Sequence, residues 1–367
     1  MKHTRTASVA AIVGASALAL AACGGSSSGG SESAAAGSSA SAINCATGTI
    51  KASGSSAQKN AITEWINAYQ TECPGATIEY SPSGSSAGIQ DFLNSQTSFA
   101  GSDSALNAEQ TTQAATRCAN NEAWNLPMVG GAIAVAYNVP GVDSLTLTPA
   151  VTAGIFDGAI TTWNDPAIAA LNPGVNLPSA PIAQYHRSDG SGTTQNFTAW
   201  LAAASGGAWT YGDSKEWKAP GGQGSKGNDG VASSLKSTPN SIGYIEESFL
   251  EQAGAKAALI NNGGGAVELT TANASAALGA AQITGTGNNL VLSIDYATQS
   301  PTAYPIVLLT YEITCSKGLP ADQLALTKSF LEYTSTQPAQ DMLPDLGYVP
   351  LPAELLTKVN TAVQAIS

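Results

Sequence analysis

Histidine, basic residues and long apolar runs are scarce in this chain, and each scarcity closes off a class of function. Of 367 residues, 14 are Lys or Arg against 26 Asp or Glu, a formal net charge of −12. Nucleic acid and anionic lipid are held by clustered Lys and Arg, so this balance argues against both as partners. The histidines are His3 and His186 alone, so a Ser-His-Asp triad in the folded part would have to use His186. No Cys-x-x-Cys or Cys/His spacing suggests zinc, and no Gly-x-x-x-x-Gly-Lys-Ser/Thr segment suggests nucleotide hydrolysis. Internal repeats and long charge runs are absent. No metal and no cofactor is implied.

The apolar run Ala7–Ala22 is too short and too rich in alanine for a membrane span, and it follows Lys2 and Arg5. That is the pattern of a signal peptide over residues 1–22. Its ending, Leu20-Ala21-Ala22-Cys23, resembles the lipobox of bacterial lipoproteins, which implies cleavage before Cys23 and lipid on its sulfur and amino group. Gly24 to Ala42 is almost entirely Gly, Ser and Ala, so residues 23–44 read as a lipidated cysteine and a flexible tether reaching about 25 Å. The chain is thus expected outside the cytoplasm, on the outer face of the cell membrane, held by lipid only.

Four further cysteines, Cys45, Cys73, Cys118 and Cys315, suit disulfides in an exported protein. Three pairings are open, and the sequence does not choose among them. Cys45 and Cys73 each precede a predicted parallel strand, so both can lie at one end of a sheet; this favours Cys45 with Cys73 and Cys118 with Cys315.

The folded part, about 320 residues, is long enough for two domains with cores of their own. Strands are predicted at Thr49–Ser53, Thr77–Ser81, Phe99–Ser102, Leu126–Asn138, Ala183–His186, Ser241–Ile245 and Ala303–Thr314. Helices are predicted at Gln58–Glu72, Ser86–Ser95, Asn107–Cys118, Thr148–Phe156, Trp163–Leu171, Gln195–Ala204, Phe249–Ala255, Asp322–Thr334, Pro338–Leu343 and Ala353–Ile366. Gly221 to Gly230 reads as a loop over a cleft. Strands alternating with helices mean α/β architecture with mostly parallel sheets. Two long strands flanking a middle block point to two lobes: residues 45–137 with 303–367, and residues 138–302.

Ligands bind such sheets at the carboxyl ends of the strands, beside helix starts. Three strand ends carry Gly, small hydroxyl residues and one carboxylate: Ser53-Gly54-Ser55-Ser56-Ala57, Pro82-Ser83-Gly84-Ser85-Ser86-Ala87-Gly88 and Ala100-Gly101-Ser102-Asp103. A fourth, His186-Arg187-Ser188-Asp189-Gly190-Ser191-Gly192-Thr193-Thr194, is built like an oxyanion receptor. Arg187 offers a planar fork of donors, the glycines allow close approach, and Ser191 and Thr193 add hydroxyls at a helix start whose N–H groups favour anions. Asp189 is near enough in the turn to hold the Arg187 fork.

Taken together, Gly84-Ser85-Ser86-Ala87-Gly88, Gly101-Ser102-Asp103 and Arg187-Ser188-Asp189-Gly190-Ser191-Gly192-Thr193 resemble the phosphate-binding lipoproteins of bacterial high-affinity phosphate ABC importers. Ile160-Thr161-Thr162-Trp163-Asn164-Asp165-Pro166 and Leu346-Gly347-Tyr348-Val349-Pro350-Leu351-Pro352 are similar to the same family. The resemblance implies a two-lobed periplasmic-binding-protein fold of type II with the ligand between the lobes. It also implies a monomer that does no chemistry and delivers inorganic phosphate to the permease subunits of an importer. Its phosphate contacts carry over onto Ser56, the Ala57 amide, Ser85, Asp103, Arg187, Ser191, Gly192 and Thr193.

Asp103 discriminates among ligands. A carboxylate repels an anion unless the anion brings a proton to donate, as hydrogen phosphate does and sulfate near neutral pH does not. Binders of sulfate or molybdate are the first rivals, and a lipoprotein used in adhesion or sensing is another. A secreted serine hydrolase is a third, because Gly84-Ser85-Ser86-Ala87-Gly88 fits Gly-x-Ser-x-Gly between a strand and a helix.

Overall fold

A computed structural model describes residues 43–367. The expected signal peptide, Cys23 and the Gly/Ser/Ala stretch 24–42 lie outside the described residues. In chain order the elements that build the site are β1 (Gly48–Gly54), α1 (Lys59–Glu72), β2 (Ala76–Ser81), α2 (Ser85–Leu93), β3 (Phe99–Ser102), α3 (Ala108–Arg117) and β4 (Ala123–Asn138). There follow β5 (Thr146–Leu147), α4 (Pro149–Phe156), α5 (Pro166–Leu171), β6 (Ala183–Arg187), α6 (Gly192–Ala204), β7 (Gln223–Ser225), α7 (Gly227–Ser237) and β8 (Ser241–Glu246).

The main sheet runs β2, β1, β3, the strand Val307–Cys315, β4, β8, β6, β7. β1 lies parallel between β2 and β3, while β6 lies parallel between β7 and β8. All of β3, and all of β4 except its last residue Asn138, is buried without alternation, as expected of strands covered on both faces. On α1, Ile62, Trp65, Ile66 and Tyr69 form one stripe and are buried. Burying side chains of this size stabilises the fold by about 1.5–3 kcal/mol each.

β4 links the two halves of the sheet. Its residues Ala123–Ala132 pair with Val307–Cys315, and Ile133–Asn138 then pair with β8. One continuous strand therefore changes its pairing partner midway along its length. The pairing with Val307–Cys315 slips between Thr310 and Tyr311, opposite Val129 and Pro127. Proline has no N–H to give the ladder, so an interior strand carries it at a bulge.

Both disulfides follow the favoured pairing, Cys45–Cys73 and Cys118–Cys315. Three expectations are corrected. The strand expected from Ala303 begins at Val307. The helix expected from Trp163 begins at Pro166, because the residue before a proline is pushed out of the helical region and Asp165 instead caps the helix. Gly221 to Gly230 is not one loop: it holds β7 and the first turn of α7. Five glycines in ten residues lower helix propensity there, yet tertiary bonds hold Gly227 at φ +69° and start the helix.

Candidate functional site

Arg187 ends β6 and is 1 % exposed. Its Nε donates to Asp189 Oδ1 at 2.8 Å and its Nη2 to Oδ2 at 2.5 Å, the fork-on-carboxylate geometry that fixes a guanidinium in plane. Asp189 also accepts from the Gly227 amide at 3.0 Å. Burial pushes the Asp189 carboxyl up, but its bonds to Arg187 and the guanidinium charge outweigh this and hold it below its ordinary range. Nη1 reaches Thr193 Oγ1 at 3.4 Å. Two of the five N–H donors of Arg187 then remain for a ligand.

Thr193 and Gly192 open α6, and the Ser191 hydroxyl caps it by accepting from Thr194 N at 3.1 Å. The Gly192 amide donates across to Ser85 Oγ at 3.1 Å, and the Asp103 amide donates to the same oxygen at 3.3 Å. A side chain at Gly192 would begin 2.5 Å from Asp103 Cβ, so only glycine allows this approach. The second, third and fourth loops thus meet at one place. The first joins them through Ser56, whose Oγ accepts from Asn228, a residue that also reaches Thr193. The Ala57 amide donates to Ser55 Oγ at 3.0 Å, and the Ala57 carbonyl accepts from Tyr348 at 2.6 Å.

Asp103 is 3 % exposed, on the rim of a cavity of about 250 Å³ lined also by Asn196, Asp213, Tyr296 and Tyr311. Its Oδ1 accepts from Thr310 Oγ1 at 2.8 Å and its Oδ2 from Ser85 Oγ at 3.5 Å. Burial raises its carboxyl above the ordinary range, while hydrogen bonds from Ser55 and Thr310 and the charges of Arg187 and Lys215 hold the rise in check.

His186 does not serve Ser86. Its ring stacks on Trp217 at 4.9 Å, and its Nδ1 lies 2.9 Å from the Arg187 carbonyl oxygen. The Gly-x-Ser-x-Gly segment instead brings α2 against the fourth loop, with Ser86 N donating to the Gly190 carbonyl at 3.0 Å.

Residues 39–337 match the PBP superfamily domain. The chain is 42% identical over 372 residues to the phosphate-binding protein PstS 3 of Mycobacterium tuberculosis (strain ATCC 25618 / H37Rv), covering 100% of both chains. It is 45% identical over 323 residues to PstS 3 of Mycobacterium leprae (strain TN), covering 87% of each. The chain belongs to the PstS family of phosphate-binding proteins. Its fold is shared with a putative phosphate ABC transporter substrate-binding protein with bound phosphate from Clostridium perfringens. That structure aligns at TM-score 0.61 and 19% identity over 83% of this chain and 100% of the other.

Four residues of this PstS-family site escape sequence reading. Thr310 and Glu312 sit in a strand that is otherwise read as apolar core, where a hydroxyl and a carboxylate two residues apart are themselves a signal. Asn228 was hidden in the glycine-rich stretch. Lys215 carries no signal at all: it lies in a polar loop whose carbonyl accepts from Ser191 N at 2.9 Å, and burial lowers its amine to about 8 against the charges of Asp103 and Glu216.

Glu312 is 1 % exposed, with no hydrogen-bond partner at either carboxyl oxygen. Burial pushes its carboxyl up to about 8, with the Asp103 charge adding to the rise and Gln58 opposing it. A carboxyl raised on folding stabilises the fold below its unfolded value, and that contribution is lost as pH rises through about 8. Glu312→Gln cannot ionise. Its thermal stability relative to wild type is therefore expected to improve as pH rises from about 5 and to level off above about 8. A gap that stays constant with pH in thermal melts would show that Glu312 is ionised in the fold.

Proposed function

We infer that this chain is an extracytoplasmic receptor that closes around one inorganic phosphate between its lobes and hands it to the permease of an ABC importer, performing no reaction itself. The meeting of Ser85, Asp103 and Gly192, with the Arg187 fork beside them, carries the reading. Donors surround one buried carboxylate there. That arrangement suits an oxyanion bearing a single proton, and hydrogen phosphate is the common one. The similarity to phosphate-binding proteins of two mycobacteria supports the same ligand.

The contacts assigned to phosphate are the hydroxyls of Ser56, Ser85, Ser191 and Thr193, the amides of Ala57 and Gly192, the Arg187 guanidinium and the Asp103 carboxylate. In this structure Ser191 is occupied as a cap and the Ala57 amide by Ser55, so both must share or exchange those bonds to act. The lobes are residues 45–137 with 303–367, and residues 138–302; the change of partner along β4 at Ile133 supports a boundary near this point. The net negative charge does not oppose an anionic ligand, because aimed local dipoles and one or two charges hold a buried anion.

Calorimetric titration of phosphate-stripped protein is expected to show tight phosphate binding and none of sulfate. Tight sulfate binding, or no phosphate binding, would overturn the assignment. Export rests on the signal peptide, and anchoring rests on Cys23. Among the described residues no helix is long and apolar enough to cross a membrane. Cys23→Ser in the host cell is therefore expected to move the protein from the membrane fraction to the soluble or secreted one. Retention in the membrane would mean a different attachment.

A further inference from the structure

Asn228 is fully buried at the start of α7, and each of its polar groups is engaged. Its Oδ1 accepts from the Glu246 amide at 2.9 Å. A backbone amide can only donate, so this bond fixes which end of the side chain is oxygen and turns Nδ2 toward the site. Nδ2 donates to Ser56 Oγ at 3.1 Å and to Thr193 Oγ1 at 3.4 Å, and the Asn228 backbone amide donates to the same Ser56 oxygen at 3.1 Å.

The consequence lies in what a hydroxyl has left. Serine and threonine carry one donor and two acceptor positions. Both acceptor positions of Ser56 are filled by Asn228. Those of Thr193 are filled by Asn228 Nδ2 and Arg187 Nη1. Ser85 is treated alike by the amides of Asp103 and Gly192. Ser56 and Thr193 then keep only their protons to offer, whereas Ser85 already directs its own to Asp103 Oδ2 at 3.5 Å.

We propose that Asn228 is a positioning residue that commits the Ser56 and Thr193 hydroxyls, which belong to opposite sides of the site, to donating toward a bound oxyanion. Hydroxyls otherwise rotate and can present either a proton or a lone pair. With their lone pairs occupied they cannot face the anion with the wrong sign, and Asp103 remains the acceptor for the ligand's single proton. The inference rests on the phosphate reading above and adds to it a residue that contacts no ligand.

Asn228→Asp and Asn228→Ala separate this role from a structural one. Aspartate keeps the shape and the bond from Glu246 but adds a buried charge beside the ligand, so its penalty separates the two roles only through its dependence on the Ser56 and Thr193 hydroxyls. In the positioning role much of that penalty runs through the two hydroxyls. An aspartate oxygen draws the Ser56 and Thr193 protons to itself, whereas alanine only leaves the hydroxyls free to turn. Phosphate affinity of the full mature chain, measured by calorimetry, is expected to fall about a hundredfold in Asn228→Asp and about fivefold in Asn228→Ala. The aspartate penalty is expected to shrink at least about tenfold in a Ser56→Ala, Thr193→Val background, where the hydroxyls it acts through are gone.

A penalty equal in both backgrounds, or alanine worse than aspartate, overturns the inference while leaving phosphate binding intact. A wild-type chain that binds no phosphate overturns both. If Asn228→Asp gives no cooperative thermal transition, the cycle of Asn228→Ala with Ser56→Ala decides: coupled losses uphold the proposal and additive ones reject it.

Discussion

Arg187→Ala is expected to weaken phosphate binding by at least about tenfold, because each charge-assisted bond to a buried anion is worth about 1.5–3 kcal/mol. Two N–H groups of Arg187 are free of protein partners, so two such bonds are at stake. The substitution also strands Asp189. That carboxylate is held charged by the guanidinium and lies next to the site, so without its partner it becomes a like charge facing the ligand. Arg187→Lys should fall between the two, since it returns a charge without the planar fork. The check is titration calorimetry alongside ligand-free melting curves, which report any loss of folding separately. An affinity within about twofold of wild type would make Arg187 a structural residue and misplace the anion site.

Asp103→Asn is expected to cost selectivity more than affinity. The carboxylate accepts from Thr310 on one oxygen, and its other oxygen is shared with Ser85. An asparagine can keep its oxygen toward Thr310 and turn its NH2 group to the ligand, where it meets an unprotonated oxygen favourably. Sulfate is then no longer excluded, and the ratio of phosphate to sulfate affinity falls while phosphate itself loses less than in Arg187→Ala. The raised carboxyl of Asp103 adds a sign. On acidification the wild-type carboxyl takes up its proton at a higher pH than an ordinary aspartate and becomes a donor, so wild-type selectivity declines toward acid pH. The asparagine variant has no such proton to gain, and its selectivity curve should be the flatter one. Identical ratios in the two proteins at every pH would mean that Asp103 does not read the ligand proton.

Much of the fold was legible because its signals are local. The stripe of Ile62, Trp65, Ile66 and Tyr69, the helix start at Asn107, and the long strand β4 each follow from a few neighbouring residues. The glycine-rich loops were legible for the same reason, since close approach and tight turns demand glycine and small hydroxyls wherever they occur. Asp189 holding Arg187 is a two-residue relation, and it stands as read.

What the sequence determined by itself is therefore the inventory: α/β architecture, four loops bearing donors and the carboxylates of Asp103 and Asp189, and a family resemblance strong enough to imply the ligand. Only the tertiary structure decided how each donor is pointed. Thr310 reaches Asp103 from a residue 207 positions away, and Asn228 reaches Ser56 across 172. α7 forms through a glycine-rich stretch because the Asp189–Gly227 and Asn228–Glu246 bonds outweigh its poor helix propensity. A hydroxyl in a sequence is both donor and acceptor, and it becomes one or the other only when the fold fills its remaining positions.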